Sequence, residues 1–238
     1  NSRMTYFIAS YLVERCPTIL KAFKGHIFAP HGYLHLDYSL IPPGDVWIDM
    51  EKAVTTFKNL GFSPSFFRAP YGQSRLRSND EELFFKFEAK LGIKYDSSLG
   101  IGGRQWKKLH PIPLKFGVTI LPYIEISDVE LIEQMRITNP EKLSKIYTKS
   151  VSLGKGGLVI FDIHPIRIGQ KRYIKTLDLF LNNILKQEKN KLISLDEATQ
   201  EYATKEKDET LTVITGDIDT LSMIDYLRRF KAIRKLMK

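Results

Sequence analysis

Two patterns of apolar residues alternate along the chain. Short continuous runs are typical of buried strands, and longer stretches with helical periodicity are typical of helices. Strands are predicted at residues 4–9, 26–29, 62–67, 93–98, 158–164, 192–194 and 211–215. Helices are predicted at residues 11–23, 45–60, 79–91, 140–153, 173–187 and 220–238, with a short one opened by Asp196. Residues 100–129 are rich in Gly, Pro and aromatic residues, and an irregular excursion is predicted there.

Alternating strands and helices predict an α/β fold with parallel strands, of the (β/α) barrel type, whether complete, incomplete or distorted. In such folds, ligands bind at the carboxyl ends of the strands. Four polar residues lie at or near the carboxyl ends of predicted strands, namely His31, Arg68, Asp96 and His164. We therefore expect the functional site at this end of the strands.

The composition changes after residue 202. Residues 203–210 are strongly charged and are interpreted as a linker. Beyond them lie a predicted strand, a turn at residues 216–219 that contains Asp217 and Asp219, and a basic amphipathic helix. Asp217 and Asp219 thus lie at the carboxyl end of one more predicted strand, in the segment 211–238 that follows residues 1–202 and the linker.

The overall composition is that of an ordinary globular chain, with 43% hydrophobic and 26% charged residues over 238 positions. The net charge of +9 fits either an anionic partner or a lysine-rich surface. Cys16 is the single cysteine, so an internal disulfide and a thiolate metal site are excluded. No signal peptide or apolar run of the roughly 18 residues needed to span a membrane is visible. Cytoplasmic and cell-envelope locations, membrane association and the oligomeric state all stay open.

A pair of histidines four residues apart, His31 and His35, lies in the segment His-Gly-Tyr-Leu-His. On a helical turn, this spacing places both imidazoles on one side, where they can reach one metal ion. Histidines in such aromatic surroundings also serve packing and local hydrogen bonding, so the spacing alone leaves both interpretations open.

Three motifs together resemble those of the polysaccharide deacetylase family, the NodB-like enzymes of carbohydrate esterase family 4. The histidine pair is similar to the family's metal-binding HxxxH motif, and Phe67-Arg-Ala-Pro-Tyr-Gly72 resembles its arginine–proline motif. Phe161-Asp-Ile-His-Pro165 resembles the late strand that delivers a catalytic histidine. The motifs occur in the family order and extend over residues 2 to about 200.

The resemblance implies a metal site and a set of catalytic roles. His31, His35 and Asp219 would bind a divalent metal, Zn first, with Co, Ni or Mn as alternatives. Asp217 would be the general base, and Arg68 would pair with it. The residues implied for the remaining steps are the backbone N–H of Tyr71, as the oxyanion donor, and His164, as the general acid.

The acidic motif departs from the family pattern. Relatives begin with a strand that ends in paired acids, whereas here Asp217 and Asp219 lie near the other end of the chain. One hypothesis is a circular permutation, in which residues 211–238 occupy the first βα position. The alternative is that residues 211–238 are an appendage and that the acidic motif lies upstream of residue 1.

The resemblance implies a metal-dependent hydrolase that removes N-acetyl or similar N-acyl groups from an amino-sugar polysaccharide. Tyr33, Tyr71 and Trp106 would stack against sugar rings. Two alternatives are a degenerate carbohydrate-binding or scaffold protein and a deacylase of a formamide or cyclic imide. The basic C-terminal helix alone would favour a nucleic-acid binder, but without a recognition motif we expect no nucleic-acid partner.

Overall fold

A computed structural model describes residues 3–72, 81–102, 109–114 and 116–236. In chain order, the strands are β1 (Thr5–Ile8), β2 (Ile27–Pro30), β3 (Phe66–Phe67), β4 (Tyr95–Asp96), β5 (Gly100–Ile101), β6 (Ile112–Pro113), β7 (Thr119–Ile120), β8 (Tyr123–Ile124), β9 (Leu158–Ile163), β10 (Asn190–Leu192) and β11 (Thr210–Ile218). The helices are α1 (Ser10–Arg15), α2 (Ile19–Ala22), α3 (Pro43–Asn59), α4 (Glu81–Leu91), α5 (Pro140–Leu153), α6 (Pro165–Ile168), α7 (Ile174–Leu185), α8 (Leu195–Glu201) and α9 (Met223–Leu236).

The chain forms two compact units. Unit 1 comprises residues 1–5, 100–112 and 121–217, and its strands lie in the order β5-β8-β9-β11-β10. Every neighbouring pair in this row is parallel. β9 is buried along its whole length, and the ring of Phe161 packs between those of Tyr147 on α5 and Phe180 on α7, with centroids 5.6 and 5.0 Å away. The aromatic core of unit 1 therefore fixes β9, the strand that leads into His164.

Unit 2 comprises residues 6–99, 113–120 and 218–238. β2 lies beside β1, and a second sheet has the order β3-β4-β7-β6, with β3, β4 and β7 parallel. Val46, Met50, Ala53 and Phe57 recur at helical spacing on α3 and are fully buried. This apolar face of α3 belongs to the core behind the histidine loop.

The predicted α/β fold with parallel strands is confirmed, with differences in particular elements. The helix predicted at 11–23 is two short helices, because Pro17 lacks a backbone N–H and interrupts the helical hydrogen bonds. In the described part of the excursion at 100–129, the structure has four two-residue strands, which are too short to show a period. A π-helix follows at Val129–Gln134.

Near the other end of the chain, the predicted turn at 216–219 begins as strand, because β11 continues to Ile218 and is buried throughout. The N-cap of α8 is Ser194 rather than Asp196, and its backbone N–H donates to Glu197 at 2.8 Å. The start of the helix predicted at 79–91 lies outside the described residues. Of the helices the structure describes, none is long and apolar enough to cross a membrane.

Candidate functional site

The segment from His31 to His35 is a loop rather than the helical turn that the spacing suggested. A buried carboxylate on α3, that of Asp49, organises it. Asp49 accepts hydrogen bonds from the backbone N–H groups of Tyr33 and Leu34 at 2.8 and 2.9 Å and from the hydroxyl of Tyr38 at 2.8 Å. Burial raises the pKa of Asp49, while these three donors favour its ionised form. The loop is therefore shaped from the helix behind it.

The orientation of His31 follows from one hydrogen bond. Its Nδ1 lies 2.8 Å from the backbone carbonyl oxygen of Arg68. A carbonyl can only accept, so Nδ1 carries the proton and Nε2 of the neutral ring presents its lone pair. Metal-binding histidines are commonly held in this manner by a second hydrogen bond.

The carboxylate of Asp219 lies at the imidazoles of both histidines. Its Oδ1 is 3.5 Å from Nε2 of His31 and 3.2 Å from Nε2 of His35. One potential ligand atom from each of the three residues lies within 4.8 Å of the others. The sequence-predicted ligand set is thus brought together in unit 2.

Asp219 is positioned by contacts on both sides of it in the chain. The carbonyl of the preceding residue, Ile218, accepts a hydrogen bond from Ala9 at 3.1 Å. The carbonyl of Asp219 itself accepts from the guanidinium of Arg229 on α9. Farther along α9, Ile233 packs against the cluster formed by Tyr33, Leu34 and Ala53. These contacts hold the segment after β11 against the first part of unit 2.

The donor set fits a divalent metal. Two imidazole nitrogens and one carboxylate oxygen are the ligands of many catalytic zinc sites, in which a further position is left for water. The Nε2 atoms of both histidines face the same carboxylate oxygen, and the proton of His31 is held on its other nitrogen. His31, His35 and Asp219 are the residues that could hold the ion.

Arg68 is fully buried and held by the loop that follows β4. Its Nε and Nη2 donate to the carbonyl and hydroxyl oxygens of Ser97, both at 2.9 Å, and its guanidinium lies 4.2 Å from the centre of the Phe7 ring. The adjoining residues Pro70–Gly72 form a 3₁₀ turn with Tyr71 at φ 59°. The packed guanidinium thereby fixes the backbone around Tyr71.

Behind this loop lies a pair of fully buried acids, Glu88 on α4 and Asp96 at the end of β4. Asp96 accepts from the backbone N–H of Ser98 at 3.0 Å, and the hydroxyl of Ser98 accepts from the N–H of Ala69 at 2.8 Å. Burial and the neighbouring Asp96 raise the pKa of Glu88 well above its usual value. Burial and the neighbouring carboxylate thus both favour the neutral form of Glu88.

A second cluster of titratable groups lies in unit 1. Ligand atoms of Asp162, His164 and Asp217, all buried, are within 4.8 Å of one another. The register of the parallel strands explains this, because Asp162 pairs with Thr215 and Ile163 with Gly216. His164, just after β9, and Asp217, the next-to-last residue of β11, thus lie at one level, and Asp162 lies on the same face of β9 as His164.

His164 is oriented by Asp128, which precedes the π-helix and is completely buried. Nδ1 of His164 lies 2.7 Å from Oδ1 of Asp128, and the backbone N–H of His164 donates to both carboxylate oxygens at 3.0 and 3.1 Å. A carboxylate at Nδ1 keeps the proton there and directs Nε2 away from it. This is the arrangement required of a histidine that exchanges a proton through Nε2.

The remaining sequence-predicted residues lie in varied places. Tyr33 is buried, its hydroxyl donates to Glu14, and Nζ of Lys52 is 3.8 Å from its ring centre, which gives it packing contacts. Tyr71 is exposed and packs its ring 4.7 Å from that of His35. Trp106 lies outside the described residues.

Sequence reasoning missed three supporting acids. Asp49 and Glu88 interrupt the apolar faces of their helices, since Asp49 lies between Val46 and Ala53, and Glu88 follows Phe84 by four residues. A charge inside an apolar stripe was the available signal for both. Asp128 follows β8 by a few residues, but it had no periodic surroundings to mark it.

Comparison with known proteins places these features in a family context. The family model described as polysaccharide deacetylase matches residues 1–94, a segment that contains the histidine loop and Arg68. The resemblance drawn from the motifs is confirmed over that segment. No curated protein was found to match the chain.

Solved structures with a similar fold extend over most of the chain. A protein assigned as a polysaccharide deacetylase from Mycobacterium smegmatis is 19% identical with a TM-score of 0.69, covering 85% of this chain and 72% of its own. One with the same assignment from Pseudomonas aeruginosa is 18% identical with a TM-score of 0.67, covering 86% and 69%. The PuuE allantoinase is 17% identical with a TM-score of 0.65, covering 85% and 68%. At these identities, the similarity establishes the fold.

Proposed function

We propose that the protein is a metal-dependent hydrolase that removes N-acetyl or similar N-acyl groups from an amino-sugar glycan. The observation that supports this most directly is the convergence of His31, His35 and Asp219, whose potential ligand atoms lie within 4.8 Å of one another. The match of the polysaccharide deacetylase model to residues 1–94 supports the class of substrate.

The bound ion, zinc first among the candidates, would lower the pKa of water and polarise the amide carbonyl. Asp217 is the proposed general base that takes the proton of the attacking water. His164 is the proposed general acid, delivering a proton from Nε2 to the leaving amine while Asp128 holds Nδ1. The other two roles are proposed from the resemblance alone, with Arg68 paired with the base and the N–H of Tyr71 as the oxyanion donor.

The placement of Asp219 supports the permutation hypothesis. The backbone of Ile218 is hydrogen-bonded to that of Ala9, and Ile233 packs on the histidine loop. An appendage would not be expected to make these contacts. We propose that this segment supplies the acidic strand and first helix of the same catalytic domain. Asp217 and Asp219 would then have different roles, one as base and one as ligand.

The test separates metal binding from catalysis. The purified protein is loaded with Zn²⁺, and its metal content is measured by elemental analysis beside acetate release from a chitin oligosaccharide. We expect about one ion per chain. Asp219→Asn should lose the ion and the activity together, whereas Asp217→Asn should keep the ion and lose about 10²- to 10⁴-fold in kcat.

Asp225→Asn is the matched control, because Asp225 lies in the same segment and accepts a hydrogen bond from Thr220 at 3.0 Å. It should leave both readouts unchanged. A chain that binds no ion would favour the carbohydrate-binding module. An ion with no acetate release, but with turnover of a formamide or cyclic imide, would favour the other deacylase.

A further inference from the structure

One face of helix α9 packs against the rest of unit 2, and the opposite face is exposed to solvent. On the inner face, Arg229 is buried and donates to the carbonyl of Asp219, and Ile233 packs on the cluster of Tyr33, Leu34 and Ala53. These contacts fix the rotation of the helix about its axis. The residues about half a turn away are therefore held pointing outward.

The outer face carries large apolar side chains. Ile224 is 62% exposed, Leu227 54% and Phe230 50%, and their spacing of three residues forms a row along the helix. Leu221, just before the helix, is exposed as well. Isolated exposed apolar residues are ordinary on a protein, but a row over successive turns marks a surface with a partner.

The charges on the same face are all positive. Arg228, Lys231 and Arg234 are exposed and alternate with the apolar row. Asp225 is the single acid in the sequence of α9, and it accepts a hydrogen bond from Thr220. The partner must therefore accept apolar side chains and cations over one helical face.

We propose that the outer face of α9 docks on an anionic phospholipid surface, lying in the plane of the headgroups. The guanidinium and ammonium groups would contact lipid phosphates, and Ile224, Leu227 and Phe230 would enter the acyl boundary beneath them. An anionic lipid surface thus accommodates both the apolar row and the cations of this face. The proposal concerns a surface outside the candidate active site and does not depend on the proposed reaction.

Two other occupants fit less well. A second copy related by a two-fold axis would place Arg228, Lys231 and Arg234 opposite the same three cations. A nucleic acid would pair with the cations but would leave the apolar row in water. The apolar row is therefore the component that distinguishes a lipid surface from a polyanion.

The test is co-sedimentation of the full chain with phosphatidylcholine vesicles, with and without phosphatidylglycerol. The protein should bind the anionic vesicles, and binding should weaken as salt is added. The double variant Leu227→Gln, Phe230→Gln should lose about tenfold or more in partition coefficient. Lys231→Gln with Arg234→Gln should weaken binding and reduce its salt dependence.

The matched control is Leu153→Gln with Leu185→Gln, two leucines that are 53% and 63% exposed on α5 and α7. This variant should bind as the parent does, and circular dichroism should show all variants folded. The proposal is overturned if anionic vesicles do not bind the protein, if the Leu227 and Phe230 changes leave binding intact, or if the control pair loses it equally. A self-associated species that the Leu227 and Phe230 changes disperse would also overturn it, in favour of a second copy.

Discussion

At the scale of single residues, His164 is held from two directions by one carboxylate. Asp128 contacts both its ring Nδ1 and its backbone N–H. The ring can therefore neither rotate nor exchange tautomers without breaking a buried, charge-assisted hydrogen bond. In the proposed role of general acid, His164 would therefore meet the leaving group through Nε2 alone.

Replacing Asp128 by Asn keeps an oxygen acceptor but removes the charge. We expect kcat to fall about 10²- to 10⁴-fold and the limb of the pH profile that reports His164 to move, because the imidazolium loses its partner. Metal content should stay the same. Asp178→Asn, an exposed acid of the same unit, is the control. An unaltered pH profile would show that Asp128 has a packing role only.

Glu88 makes stability depend on pH. Because the pKa of Glu88 is raised, the folded protein holds this proton at pH values where the unfolded chain has released it. The free energy of unfolding should therefore fall as the pH rises above the usual value of 4.5. Glu88→Gln should remove this pH dependence. Between pH 5 and pH 8, the free energy of unfolding of the variant should therefore rise relative to that of the parent by about 1 kcal/mol or more.

Urea unfolding at both pH values measures the difference between Glu88→Gln and the parent. Glu82→Gln is the control, since Glu82 lies on the same helix and is exposed beside Lys86. A parallel pH dependence in the parent and in Glu88→Gln would mean that Glu88 is ionised in the folded protein.

Residue types and strand-end positions were enough to predict His31, His35, His164 and Asp219 as candidates. The surroundings of other residues could not be predicted in this way, as Tyr33 shows. Its aromatic ring beside two histidines suggested a sugar-stacking surface, yet the packing of Lys52 and Glu14 around it is set by residues distant in sequence. Asp128 likewise acquires its role only from a contact across 36 positions.

At the scale of elements, the histidine loop depends on a glycine. Gly32 has φ +66°, and a Cβ there would lie 2.9 Å from the hydroxyl of Tyr38 and 3.0 Å from Oδ2 of Asp49. The same carboxylate receives the loop N–H groups, so a methyl group at Gly32 would press on the residue that shapes the loop. Only glycine satisfies both the backbone angle and the space.

Gly32→Ala and Gly61→Ala separate these two effects. Gly61 has φ +84°, but apart from its chain neighbours no described residue has an atom within 4 Å of the position that an added methyl group would take. Its substitution therefore tests the backbone angle alone. We expect the free energy of unfolding of each variant to fall by about 1 kcal/mol, because alanine is strained at a positive φ. Gly32→Ala should lose a further 1–3 kcal/mol, roughly, from overpacking. Urea unfolding gives the two values, and metal content should fall only in Gly32→Ala. Equal losses would contradict the proposed crowding.

Elements with a long period were predicted well from the sequence. α3, α5 and β9 lie close to the predicted ranges, because their apolar faces extend over several turns or six consecutive residues. The strands β5 to β8 have two residues each, which is shorter than any period, and they exist because neighbouring strands pair with them. Local pattern cannot report such pairing.

At the scale of the whole molecule, β11 is an internal strand. It pairs with β9 over six registered positions and with β10 over three, and no residue of it is exposed. A late segment of the sequence therefore fills the interior of a sheet whose neighbours precede it. The alternation of strands and helices in the sequence predicted the α/β class. The position of β11 between β9 and β10 depends on pairing between distant segments, so the local sequence pattern could not predict it.

A chain that stops at Glu209 should fail to fold cooperatively. Removing β11 would expose the buried strand β9 and would leave backbone groups of β9 and β10 without their partners. Circular dichroism during thermal unfolding, with the full chain alongside, is the measurement. A sharp transition at an unchanged temperature would make residues 210–238 the appendage that the permutation hypothesis rejects.

The position of Asp219 along the chain also orders events during biosynthesis. His31 and His35 are translated first, and Asp219, whose carboxylate lies at their imidazoles, follows on the order of tens of seconds later. Until then, the nascent chain offers a metal only two imidazoles. Tight capture of the ion, and with it the proposed hydrolytic activity, would therefore be delayed until Asp219 has been synthesised.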